Sequence, residues 1–223
     1  TKASIKAVIS KSTMTGTSPA LTINNNFFGT TATGWGNSVT PSDSAIAGVF
    51  ISYGNETVVN VKNNDFTGLG FNPSQFGLYA IYLEDTAVAN NITSITGNTF
   101  TNLAVNTGYL SLITAQGFMG SNAIRNIDSN KTVGTFSFIG GGFEMINTTG
   151  FNVLDFLTTI NNNEFSNAIL NIAEGNYAYA SVISDGNSTN KNQIRNNIVN
   201  NVNQTGGIFI AILEQGGFVS TSD

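Results

Sequence analysis

The chain has 223 residues, no Cys and no His, a formal charge of −5, and only 9% charged against 40% hydrophobic side chains. That length suits one domain with a real core. The missing residues exclude disulfides and thiolate metal sites, and remove the commonest general base, metal ligands and thiol nucleophile together. Eight Lys and Arg form no basic stripe and no run of 18 apolar residues occurs, so neither nucleic acid nor a membrane span is expected.

The opening Thr1-Lys-Ala-Ser4 does not read as a secretion signal, which a mature chain would have lost. The first predicted strand is Ser4–Ser10, with Ile5, Val8 and Ile9 as its apolar positions. A polar stretch follows to Pro19. Then comes a short phrase, Ile23–Asn26–Phe28: an apolar residue, Asn three positions later, Phe two beyond. It returns at Val61–Asn64–Phe66, Ile95–Asn98–Phe100 and Ile160–Asn163–Phe165, with weaker copies at Ile127–Asn130–Thr132 and Ile194–Asn197–Val199. The Asn positions step by 38, 34, 32, 33 and 34 residues. The chain holds 33 Asn, so single matches are cheap; six in near-regular step, four with Phe in register, are not.

A second series of apolar runs lies 14–18 residues before these anchors: Ala7–Ser10, Val49–Tyr53, Tyr79–Leu83, Tyr109–Ile113, Phe143–Ile146 and Ala180–Ile183, with Ile208–Leu213 closing the series. Gly48, Gly77, Gly108 and Gly207 stand before or at the start of such runs, and a third run, Ala168–Ile172, follows an anchor. Runs this short, β-rich and bounded by Gly and Asn are strands. A fixed period of 20–50 residues marks a solenoid, whose turns bury their apolar faces only against their neighbours. The repeat predicts an all-β, parallel β-helix of about six coils, roughly 33–34 residues each, forming one domain over 1–223. Residues 1–20 enter the first coil, 29–45 are a loop insertion carrying Trp35, and 206–223 hold the last strand and tail. Asn26, Asn64, Asn98, Asn130, Asn163 and Asn197 should form a side-chain ladder up one corner, and Asn tolerates the left-handed backbone a corner needs. Phe28, Phe66, Phe100 and Phe165 should point inward beside it.

With Ile-x-x-Asn-x-Phe phrases and Gly-led strands over about residues 4–215, the chain resembles the right-handed parallel β-helix group, which includes pectate lyases, polygalacturonases, phage tailspikes and surface adhesins. The resemblance is specific for the fold and not for an activity. Polygalacturonase-type Asn-Thr-Asp, Asp-Asp, Gly-His-Gly and Arg-Ile-Lys motifs are missing, and no cofactor, metal or catalytic set is expected.

Two functions compete. In the first, the chain is an extracellular structural solenoid, a subunit of a surface filament or sheath or an adhesin stalk. Its partner is then another copy of itself or a cell-surface component, reached through Ile5, Val8 and Ile9 at one end and Ile208, Ile210 and Ile212 at the other. Thr-, Asn- and Ser-rich composition fits that location. In the second, it binds or cleaves a polysaccharide, with Trp35, Glu84, Asp85 and Asp185 as the ligand face. Asn55, Asn91 and Asn187 are loop sequons and candidate glycosylation sites, whereas Asn130 is a sequon at a ladder position. Arg125 and Arg195 are expected to face solvent.

Overall fold

The structure, a computed structural model, describes residues 6–11, 20–28, 46–52, 58–67, 77–85, 89–118, 120–151, 155–185 and 191–215. These contain strands and turns and no helix. Turn by turn the strands are β1 (Lys6–Lys11), β2 (Ala20–Asn24), β3 (Phe27–Phe28); β4 (Ile46–Ser52), β5 (Val58–Lys62), β6 (Asp65–Thr67); β7 (Gly77–Asp85), β8 (Ile92–Thr96), β9 (Thr99–Thr101); β10 (Ala104–Phe118), β11 (Ile124–Asp128), β12 (Lys131–Val133); β13 (Phe136–Phe151), β14 (Leu157–Asn161), β15 (Glu164–Ile172); β16 (Tyr177–Asp185), β17 (Lys191–Arg195), β18 (Ile198–Thr205); and β19 (Ile208–Gln215).

Strands of successive turns pair in parallel. One sheet has six strands in the order β17-β14-β11-β8-β5-β2; the other has thirteen and bends around the rest of the turn. The molecule is a parallel β-solenoid. The four successive turns from β7 to β18 are the most fully described. The count of about six reaches back to Asn26 and Asn64, whose turns run partly outside the described residues.

Alternation makes the core. In the six-stranded sheet the second and fourth residues of β5, β8 and β11 point inward and the others outward. Ile23, Val61, Ile95, Ile127, Ile160 and Ile194 therefore stack in one inward row. Phe28 stacks on Phe66 with ring centroids 4.8 Å apart, and Phe66 on Phe100 at 5.3 Å. Thr132 interrupts this column. Its hydroxyl donates to the Ser166 carbonyl (2.9 Å), while Phe136 and Phe143 pack against Phe165 at 5.6 and 5.1 Å.

Arg125 departs from expectation. It is fully buried, in the inward row of Leu21, Val59, Thr93, Thr158 and Asn192. The period of two explains it: Ile127 faces inward, so Arg125 two residues earlier does too. Arg195, at the outward end of β17, is exposed.

Candidate functional site

The Asn corner is one joint used five times. The joint between Asn98 and Asn130 shows its parts. Asn98 donates its backbone N–H (3.0 Å) and side-chain Nδ2–H (2.9 Å) to the Asn130 amide oxygen. Asn130 Nδ2 donates back to the Ile95 carbonyl at 2.9 Å. Two backbone bonds close it, Gly97 N–H to Asp128 O and Lys131 N–H to Asn98 O, both 3.0 Å. The same five bonds recur at Asn26/Asn64, Asn64/Asn98, Asn130/Asn163 and Asn163/Asn197. An amide has two donors and two acceptor lone pairs, so each interior Asn side chain is saturated. This is why Asn64, Asn98, Asn130 and Asn163 tolerate burial. The left-handed residue is not the ladder Asn but the one before it: Asn25, Asn63, Gly97, Ser129, Asn162 and Asn196, with φ between 53 and 66°. Placing the bend one residue earlier leaves the ladder Asn free to aim its amide along the stack.

The joint has a direction, so the two ends differ. At the last turn, among the described residues, the Asn197 N–H, one Asn197 Nδ2–H and the Asn196 N–H have no acceptor. At the first turn the Asn26 amide oxygen has no donor, and its spare Nδ2–H turns to its own strand's Asn24 carbonyl (3.1 Å). The row just after the ladder faces outward. It reads Phe27, Asp65, Thr99, Lys131, Glu164, Ile198: polar in every interior turn and apolar at both ends. Phe27 is 57% exposed and Ile198 52%. Ile208 and Ile212 of β19 are similarly exposed. Below them a cavity of about 230 Å³ opens where Val199 replaces the Phe of earlier turns, lined among others by Phe165, Ser181, Ile194 and Ile212.

A second cluster lies on the outer side of the long strands. There pairing skips one residue in each turn, at Gly48/Ala80, Leu112, Met145, Ala180 and Ala211. Ala80 and Ile81 are consecutive and both buried, so the alternation breaks and the strand bends. A Cβ on Gly48 would meet the Ala80 carbonyl and the Phe66 ring at 2.9 Å, which is why Gly stands at the bend there. The residues flanking the break lean together outside: the Tyr79 and Tyr82 rings meet edge to face at 4.9 Å, and Phe50 stacks on Tyr82 at 5.3 Å. The Tyr109 hydroxyl donates to Glu144 Oε2, as does Asn147 Nδ2 at 2.5 Å. A Cβ on Gly142 would make only ordinary contact with the Tyr109 ring, at 3.4 Å. One residue earlier a Cβ on Gly141 would strike the Gly108 carbonyl, so the middle residue of Gly140-Gly-Gly142 serves close turn-to-turn contact.

Burial raises the Glu144 carboxyl, against the bonds from Tyr109 and Asn147 that hold its charged form. Burial and then the Glu144 charge drive the Tyr109 phenol far above its ordinary value, and burial with Glu84 pushes Tyr82 up to about 12. The cluster thus places neutral phenols around one partly buried carboxyl.

Of the expected ligand face, Glu84 lies at this groove and accepts from the Tyr82 hydroxyl at 3.4 Å, with Gln116 beside it in register. Asp85 and Asp185 share one row three turns apart, on the order of 14 Å along the axis, so they are not brought together. Trp35, Ile5, Asn55 and Asn187 lie outside the described residues. Val8 and Ile9 stand in β1, paired with Val49 and Phe50. Asn91 is 4% exposed and its amide oxygen accepts from Thr93 at 2.9 Å, which leaves no room for a glycan in the folded chain. Asn130 is fully buried. The sequence reading missed Tyr79, Tyr109 and Glu144. A signal was there: Tyr79, Ser111 and Glu144 each precede their ladder Asn by 19 residues, which makes them one row. Among the described residues no group of three or more Asp and Glu is placed to hold a metal ion, and no helix is long and apolar enough to cross a membrane.

Fold and ends together define a class: a parallel β-solenoid with a saturated Asn corner and apolar end turns. No protein family, curated protein or solved structure matches the chain.

Proposed function

We propose that the chain is a structural building block, an extracellular β-solenoid that self-associates through its ends as the subunit of a surface filament or sheath, or as an adhesin stalk. One observation carries the reading. The outward row beside the ladder is polar in the four interior turns and apolar only at Phe27 and Ile198, which among the described residues pair with a strand on one side alone. Within this row the exposed apolar groups stand at the two ends, where covering them by a further turn favours association, although Ile139 and Ile169 are exposed elsewhere in the interior. The sparsely charged composition, rich in Asn, Thr and Ser, supports an extracellular place. Negative-stain electron microscopy with light scattering on the purified chain tests it: filaments or sheets are expected, and a monomer dispersed at every concentration overturns the reading.

A second reading rests on the tyrosine groove. Tyr79 and Tyr109 lie beside Glu144 and Tyr82 beside Glu84, a set of rings and carboxyls of the kind on which a sugar ring stacks and hydrogen-bonds. Retention of the chain on an insoluble polysaccharide, lost in Tyr82→Ala, would favour it; equal retention of both proteins would remove it.

A further inference from the structure

We infer that the last turn of one copy docks on the first turn of a second by completing a sixth Asn joint, and that β19 takes the place of β1 of the second copy. The inference rests on the self-association proposed above and names its geometry. The ends carry the two halves of a joint the chain already makes five times. Asn196 N–H, Asn197 N–H and Asn197 Nδ2–H lack acceptors; the Asn24 carbonyl and the Asn26 amide oxygen of another copy stand where Arg195 O and Asn197 Oδ1 stand in the joint below. In return the Asn26 Nδ2–H, now on its own Asn24 carbonyl, would reach the Ile194 carbonyl, as Asn197 reaches Ile160.

The side chains agree with that register. Ile23 would lie over Ile194, Phe28 over Val199 at the mouth of the cavity, and Phe27 over Ile198, so each exposed apolar residue covers the other. Opposed interior turns hold polar pairs at that row, Asp65 with Thr99 and Lys131 with Glu164.

The strand count then forces an exchange. Among the described residues the six-stranded sheet has one strand for each turn from β2 to β17, whereas the column of β1, β4, β7, β10, β13, β16 and β19 has one more. If β2 of the second copy seats on β17, the place beside its β4 is already filled by β19. Pairing β1 directly on β19 would instead leave a one-strand gap beside β17 and β18. β19 is the stronger claimant. It pairs with β16 at seven positions, against five between β1 and β4, and its Phe209 packs on the core. β1, bounded by Lys6 and Lys11, is released.

The chain has no Cys, so a cysteine pair reports the joint cleanly. Asn24 and Arg195 are exposed and share one row, five turns apart within a copy, about 24 Å, too far to bridge. Across the joint they become adjacent. The full chain carrying Asn24→Cys and Arg195→Cys should give, on oxidation, a ladder of disulfide-linked oligomers that reduction collapses, and Asn24→Cys with Lys131→Cys should not. Deleting residues 1–11 should speed assembly, because β1 no longer has to leave. If that deletion prevents folding, Ile9→Pro, which takes one donor from β1, serves instead. Filaments that form without the 24–195 bridge overturn the joint and leave self-association standing. Filaments that bridge but are lost when β1 is deleted or weakened overturn the strand exchange. No association under any condition overturns the underlying reading and this inference with it.

Discussion

An interior turn and an end turn of this solenoid are built from the same phrase but solve different problems. At Asn130 the amide is fully buried and every hydrogen-bonding group has a partner above or below. At Asn197 the same amide is half-buried, one donor is satisfied below, and the upward donors face solvent. Inside, Phe fills the bore at Phe66 and Phe100; at the end Val199 leaves a cavity. A repeat therefore does not imply equal energetics. The interior corner is worth most because nothing else can satisfy the groups it satisfies, whereas water can serve the end.

Substitutions can sharpen or break that contrast. The largest effect is expected for Asn130→Leu. It strands the Asn98 N–H and one Asn98 Nδ2–H without an acceptor, and takes one donor from the Ile95 carbonyl and one of two from the Asn163 amide oxygen, a loss of about 5 kcal/mol in chemical denaturation. A loss below about 2 kcal/mol would mean that the ladder is decoration on a sheet that stands without it. Phe100→Ala should follow at about 4 kcal/mol, since its ring fills a closed bore beside Phe66. Asn197→Ala should change the stability of a single copy by about 1 kcal/mol, because solvent already reaches that corner. If it matched Asn130→Leu, the end and interior would not differ.

The smallest effect concerns the groove. Glu144 titrates above its ordinary 4.5, so its neutral form is favoured by folding. That contribution is full below pH 4.5 and is lost as pH rises through the folded value. Glu144→Gln does not titrate. Its stability relative to the natural chain should therefore rise from pH 4 toward neutrality, read as a shift in thermal midpoint across that range. A difference flat with pH would mean that Tyr109 and Asn147 fully offset the burial.

The corner was legible because it depends on identity and spacing. Six Asn in step announce a column, and an amide column can be satisfied only by stacking. The left-handed bend was misplaced by one residue, because Asn24-Asn-Asn26 and Asn161-Asn-Asn163 offer the bend and the ladder the same residue type. The groove was not legible run by run. Tyr79, Ser111 and Glu144 share no chemistry, and only aligning them on the ladder shows that they are neighbours. Arg125 was missed for the opposite reason: its charge outweighed a periodicity that already pointed it inward.

By itself the sequence determined the period, the parallel stacking and the identity of the repeating corner, since these follow from local spacing and from what an amide can bond. Only the tertiary structure decided which strand of a turn is left over, which row is apolar at the ends, and where the alternation breaks to bring Tyr79 and Tyr82 together. Those features arise between turns some 33 residues apart, from the register of one turn on the next, and no single stretch of chain contains them.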